Sequence, residues 1–209
     1  MSKELPYEVA LFRKLQGTGQ SYFITVSDKL LPDVDSFTVT VVNPKTWTKE
    51  LKYEHLAKKR GRAKIHESLK LTINKEVVEE LGLSKGGLVW VRILPFTEKP
   101  PPLKIPYIAR PVKVHTDKSS YFFTIAKKQV DYIRETGVVT GSNLHVNVTT
   151  PSGKTVEYIK RPVLITRDML YKVILPMKLF QGVVQPGDKV HVKITLTDKP
   201  EEFEEKEEK

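Results

Sequence analysis

Leu69-Lys70-Leu71-Thr72-Ile73-Asn74-Lys75-Glu76-Val77-Val78-Glu79-Glu80-Leu81-Gly82-Leu83-Ser84-Lys85-Gly86-Gly87-Leu88-Val89-Trp90-Val91-Arg92-Ile93-Leu94 is the stretch that decides the fold. The residues up to Ile73 are of β type, and Asn74 is a candidate helix N-cap, since its side-chain oxygen can accept a first-turn N–H. Lys75 to Leu81 sets Val77, Val78 and Leu81 on one side of a helix of about two turns. Gly82 can end that helix, Gly86-Gly87 turns the chain, and Leu88 to Leu94 alternates as a strand. Taken alone, this is as readily an ordinary β-α-β fragment as part of a more specific architecture.

Repetition narrows the choice. Tyr171-Lys172-Val173-Ile174-Leu175-Pro176-Met177-Lys178-Leu179-Phe180-Gln181-Gly182 continues into Val183-Val184-Gln185-Pro186-Gly187-Asp188-Lys189-Val190-His191-Val192-Lys193-Ile194 with the same punctuation. Ile73 aligns with Ile174, Gly86 with Gly187, Val89 with Val190 and Ile93 with Ile194. A second pair precedes these. Gln20-Ser21-Tyr22-Phe23-Ile24-Thr25-Val26 matches Ser119-Ser120-Tyr121-Phe122-Phe123-Thr124-Ile125, each followed by an alternating strand, Phe37 to Val42 and Leu144 to Val148. The chain therefore reads A-B-A′-B′, and the first A unit is the shorter between helix and strand.

Strand, short helix, glycine turn, strand, with Ile-Leu-Pro before the second helix and Pro-Gly-Asp-Lys-Val in the second turn, resembles the swapped-hairpin half-barrel of SpoVT/AbrB-like transcription factors. What the resemblance implies is a mainly β fold with short helices: two tandem barrels, each a single-chain pseudo-dimer of two half-units. The expected limits are 1–97 for the first barrel, 98–106 for a Pro-rich linker around Pro100-Pro101-Pro102, 107–199 for the second barrel and 200–209 for an acidic disordered tail. One large β domain with an extended loop is the alternative. The family also implies DNA as the partner, bound by basic residues just before the strand end, where Lys70 and Lys172 stand. Its frequent helix arginines are replaced here by Val78 and Glu79 in one copy and by Leu179 and Phe180 in the other. That departure points away from base-specific reading and toward the phosphate backbone. Related cradle-loop barrels often bind proteins, so the fold by itself does not choose the partner.

Charge leads to the same class independently. The tail from Pro200 holds six Glu and two Lys, and with an overall charge of +10 the remaining residues carry +14. A body this basic attracts polyanions, of which nucleic acid is the commonest in cells, although a solvated surface is the plain alternative. The densest basic run, Lys58, Lys59, Arg60, Arg62 and Lys64, falls between A and B, and Lys160, Arg161 and Arg167 recur at the matching place in the second half. With Lys70, Lys127, Lys128 and Lys172 these form the expected nucleic-acid-binding set. Tyr22, Phe23, Tyr121 and Phe122 adjoin it and are candidates to stack on unpaired bases, with the two tyrosines expected outermost. Glu201, Glu202, Phe203, Glu204 and Glu205 are expected to meet a partner.

Other chemistries find little purchase. There is no cysteine, hence no disulfide, thiolate metal site or cysteine nucleophile. The five histidines, His55, His66, His115, His145 and His191, share no short metal-ligand spacing. No Walker loop, no dinucleotide fingerprint and no nucleophile elbow occurs. The reading is non-enzymatic, with no cofactor and no metal. No apolar run reaches the roughly 20 residues that span a bilayer, and Met1 to Pro6 lacks the apolar core of a signal peptide, so a cytoplasmic setting is expected. A Lys- and Glu-rich, cysteine-free chain also suits a thermophile's intracellular protein. Two functions are thus expected of it. One is a regulatory or chromatin-type DNA-binding protein. The other is a protein-binding accessory subunit of a nucleic-acid machine such as a replicative DNA polymerase, whose acidic tail modulates DNA binding or activity.

Overall fold

The computed structural model describes residues 8–17, 21–31, 34, 36–49, 52–58, 68–96, 100–117 and 120–201. They fall into two compact units that divide between Lys104 and Ile105. The run Lys59, Arg60, Arg62 and Lys64 lies outside the described residues, as do Glu202, Phe203, Glu204 and Glu205.

In the first unit, β1 (Val9–Lys14) and β2 (Gln16–Gly17) are two arms of one bent strand. They are followed by β3 (Tyr22–Ser27), a 3-10 turn Asp28–Leu30, β4 (Ser36–Val42), a second 3-10 segment Pro44–Lys49 and β5 (Lys52–Lys58). Then come β6 (Ser68–Ile73), α1 (Lys75–Glu80) and β7 (Leu88–Pro95). All pairings are antiparallel: β5-β4-β7-β1 in one sheet and β2-β3-β6 in the other. The two strand-helix-strand segments interleave, because β3 pairs with β6 while β4 pairs with β7. Neither segment could bury its apolar face alone. Together they close one cluster around Ile24, Val26, Phe37, Val39, Leu71, Ile73, Val78, Leu81, Val91 and Ile93. Each such side chain contributes about 1.5–3 kcal/mol when fully buried.

Asn74 takes the N-cap position of α1 in extended conformation but makes no side-chain cap bond. Gly82 leaves the helix at φ +61°, and Gly86 turns at φ +81° to bring its N–H to the carbonyl of Leu15 at 2.8 Å. The strand after this turn differs from the alternation expected of it: Val89 to Ile93 are all buried. A second cover explains this. Trp47 packs edge-to-face on Trp90 with centroids 5.0 Å apart, and Arg92, 1% exposed, donates to Pro101 O at 2.6 Å and to Thr40 Oγ1 at 3.3 Å. The proline segment is thereby tied to the first unit through Pro101, and Pro100 to Lys104 belong to that unit.

The second unit repeats the plan. β8 (Ile108–Lys113) and β9 (His115–Thr116) form the bent strand, then β10 (Tyr121–Ala126), α2 (Lys127–Glu135), β11 (Asn143–Thr149) and β12 (Thr155–Lys160). After β13 (Val163–Ile165) and a 3-10 turn Thr166–Asp168 come β14 (Leu170–Leu175), α3 (Met177–Phe180) and β15 (Lys189–Thr197). The orders are β12-β11-β15-β8 and β13-β14-β10-β9. Every pairing of the first unit has its counterpart here, β1 with β7 matching β8 with β15 and β3 with β6 matching β10 with β14. An internal two-fold is visible as well. Exchanging β8 for β12, β9 for β13, β10 for β14 and β11 for β15 leaves both sheet orders unchanged.

Two expectations need correction. The sheets are open, and no closed barrel forms among the described residues. The bent strands divide their hydrogen bonds between two sheets and short helices make the other crossings, so no ladder runs all the way round. The alignment of Ile73 with Ile174 is also one residue out. Ile73 lies opposite Tyr22 as Leu175 lies opposite Tyr121, and both are buried, whereas Ile174 is only half-buried. Counting back from the glycine turns fails because α3 has four residues where α1 has six.

Candidate functional site

The smaller sheet of each unit has a buried face and an outward face, fixed by strand alternation. In β3, Ile24 and Val26 point to the core and Tyr22 shares their face; in β10, Phe123 and Ile125 do so with Tyr121. The tyrosines expected outermost therefore lie on the core side. Phe23 and Phe122 take the outward face instead, each half-buried.

Lysines reach both rings. Lys70 is opposite Thr25, one step diagonal to Phe23, and its Nζ stands 4.0 Å from the centroid of that ring. Lys172 is opposite Thr124 in the same relation to Phe122, with its Nζ at 4.4 Å. The matching geometry follows from the matching register. Across the other edge the exposed Gln16 faces Phe23, and the exposed His115 stacks on Phe122 at 5.5 Å between centroids. Lys172 also pairs with Asp117, whose carboxylate accepts from Ser120 N–H and Oγ in the β9–β10 turn. Behind the first sheet Arg13 donates to Thr25 O at 3.2 Å, and its burial lowers its pKa.

The second basic place is the corner between β12 and β13. Lys160 Nζ donates to Glu201 Oε2 at 3.0 Å, and the backbone N–H of Arg161 donates to Glu201 Oε1 at 2.8 Å. The corner thus holds a carboxylate between a cation and an amide, an arrangement that suits any oxyanion. The amide and Lys160 together hold the Glu201 carboxyl below its usual pKa. Arg161 and Arg167, both exposed, bracket β13, which among the described residues pairs on one side only. That edge strand is apolar and open: Val163 is 50% exposed, Leu164 39%, and nearby Met169 53%.

The remaining expected residues are scattered. Lys127 and Lys128 begin α2. Lys127 is committed to Asp131 one turn on, a contact that raises its pKa, while Lys128 is exposed. Lys58 ends β5. Val78 and Phe180 are buried at matching places of α1 and α3 and serve as core. His145 pairs with Glu157 on an exposed sheet face, and His191 is buried. Among the described residues no three His, Asp or Glu side chains gather as a metal site would need. No described helix is long and apolar enough to cross a membrane.

The residues that sequence reasoning missed are His115, Asp117 and Arg92. A signal existed for the first two, since His115 and Asp117 lead into the turn before the repeated Tyr-Phe pair. No family model, curated protein or solved structure matches this chain.

Proposed function

We propose that this chain is a non-enzymatic DNA-binding protein of regulatory or chromatin type, acting in the cytoplasm and holding the phosphate backbone through cations on its sheet corners and outer faces. The observation that carries this reading is the corner at Lys160 and Arg161, where an oxyanion is already bound in a chain whose body carries +14. A phosphate oxygen can take the same two donors. The interleaved strand-helix-strand pairs support kinship with SpoVT/AbrB-like swapped hairpins, with sheets left open rather than closed.

Binding of a labelled duplex by anisotropy across salt concentration tests this. Each phosphate contact adds about 0.9 to the log–log slope, so Lys160, Arg161 and Arg167 replaced together by Ala should lower the slope by about 2 to 3. No binding of duplex at about 50 mM salt overturns the proposal.

A second reading rests on a different observation, the open edge strand Val163-Leu164-Ile165 with Met169 beside it. An unpaired apolar edge is a place where another protein adds a strand. On this reading the chain is an accessory subunit of a nucleic-acid enzyme, such as a DNA polymerase, and the acidic tail modulates the enzyme's grip on DNA. Val163→Lys with Leu164→Lys would abolish co-purification with such an enzyme while leaving duplex affinity in place.

A further inference from the structure

The paired lysine and phenylalanine on the outer face of each small sheet form the strongest unassigned feature of the molecule. From it the geometry points to a stacking platform for unpaired bases: Phe23 in the first unit and Phe122 in the second each receive one base of single-stranded nucleic acid. The inference rests on the nucleic-acid reading above and names the strand form that these faces take.

Three observations carry it. Lys70 over Phe23 and Lys172 over Phe122 occur at the same register in both units, although the helices around them differ in length. Each phenylalanine stands on the outward side of its strand, Phe23 opposite Thr72 and Phe122 opposite the half-buried Ile174, and neither fills the core. Ile24 and Phe123, one residue further along, supply that function and are fully buried. The third observation is the flank. Phe122 already carries a stacked aromatic neighbour in His115, and Phe23 has the exposed amide of Gln16 in the same place. A planar ring is therefore accepted beside Phe122, and a hydrogen-bonding side chain stands beside Phe23.

The lysine over each ring holds the π face while no base is present, through attraction of the ammonium to the ring's negative face. A base has its own π face and brings a phosphate with it. When the base stacks on the ring, the ammonium moves to that phosphate, so neither group is left uncompensated. In the second unit Asp117 holds Lys172 from the other side, and the lysine exchanges one anion for another. A duplex cannot use the platform, because its bases are paired and stacked on each other. Lys193 over Tyr107 marks the contrast. Its cation also stands near a ring, at 3.9 Å, but Tyr107 is only 6% exposed and offers no face.

The test uses the full chain and three probes of equal length: an oligothymidine, an abasic strand with the same phosphates, and a duplex. Wild type should bind the oligothymidine more tightly than the abasic strand by about fivefold or more for each engaged ring. Phe23→Leu with Phe122→Leu keeps the apolar bulk and removes the π faces. That variant, checked for an unchanged melting temperature, should bind both strands alike, at the abasic affinity. Should it fail to fold, Lys70→Gln with Lys172→Gln serves in its place. That pair should weaken both single strands while keeping the preference for bases. Equal wild-type affinity for oligothymidine and abasic strand overturns the platform while leaving backbone binding intact. A preference that survives the double leucine change overturns it too. Failure to bind any of the three probes removes the nucleic-acid reading itself.

Discussion

Every strand pairing of the first unit recurs in the second, which adds β13 at the edge of its smaller sheet, yet the two units connect the strands differently. Where the first unit passes from β3 to β4 through a three-residue 3-10 turn, the second uses the nine-residue helix α2. Where the second passes from β6's counterpart to the glycine turn through the four-residue α3, the first uses six residues in α1. What stays fixed is the ladder register, the positive-φ glycine of the final turn and the lysine over an outward phenylalanine. Connection length is therefore a free variable in this plan, while the face that each strand residue presents is not. A one-residue slip in a strand would turn its whole apolar set outward.

Exchanging core residues at matching positions is the severest way to break the likeness. Phe180 fills the second core from a helix of four residues and meets Tyr158 edge-to-face, with centroids 6.1 Å apart. Phe180→Ala should cost about 3–5 kcal/mol, since the surroundings can collapse only partly into the cavity. Val78, its counterpart, is smaller, and Val78→Ala should cost about half as much. Denaturant melts of the two variants compare the units directly. Equal losses would show that the helices do not plug their cores alike.

A glycine of the second unit gives the next effect. Gly141 lies between α2 and β11 at φ +124°, where an added Cβ would stand 2.1 Å from the carbonyl oxygen of Thr197. Gly141→Ala must displace the end of β15 as well as adopt a strained backbone, and should cost about 2–4 kcal/mol. Gly137→Ala, at φ +68° with nothing within 4 Å, meets only the backbone term and should cost about 1 kcal/mol. Thermal melts that rank these two the other way would mean that the close approach at Thr197 is not maintained.

How much of this was legible in the sequence follows from which faces are buried. The strands ending at Ile73 and beginning at Leu88 could be read because glycines and a short amphipathic helix bound them. β1 and β8 carry no such pattern. Val9, Ala10, Leu11 and Phe12 are all buried, so their strand has no polar alternation to show, and β8 holds Arg110 and Pro111 in mid-strand. The internal two-fold depends on these strands and on β13, which lies hidden between the basic residues that drew attention to Lys160, Arg161 and Arg167. At the site, the Tyr-Phe repeat was visible but not its phase. Only the ladder shows that Phe23 and Phe122, rather than the tyrosines, share a face with Lys70 and Lys172. Arg92 could not have been expected in a core, because its partners, Pro101 O and Thr40, come from distant parts of the unit.

The smallest effect concerns the corner at Lys160, where the acidic segment begins. Glu201 occupies donors that a phosphate would need, so under the proposed DNA-binding function its charge would compete with DNA. Glu201→Gln removes the charge and keeps an oxygen that can still accept the Arg161 N–H. The contact is exposed enough to be worth only a fraction of 1 kcal/mol, and duplex affinity at low salt should rise about two- to threefold. The pH dependence has a definite sign. Hydrogen bonds from Arg161 N–H and Lys160 hold the Glu201 carboxyl below its ordinary value of 4.5, so the contact is fully present above that value. It is lost as pH falls through the lowered folded value, where the carboxyl takes up a proton. Wild type and Glu201→Gln should therefore differ at neutral pH and converge in acid. They should also converge near 0.15 M salt, where the Debye length shrinks to about 8 Å. Equal affinities at neutral pH and low salt would show that the glutamate and DNA do not meet at this corner.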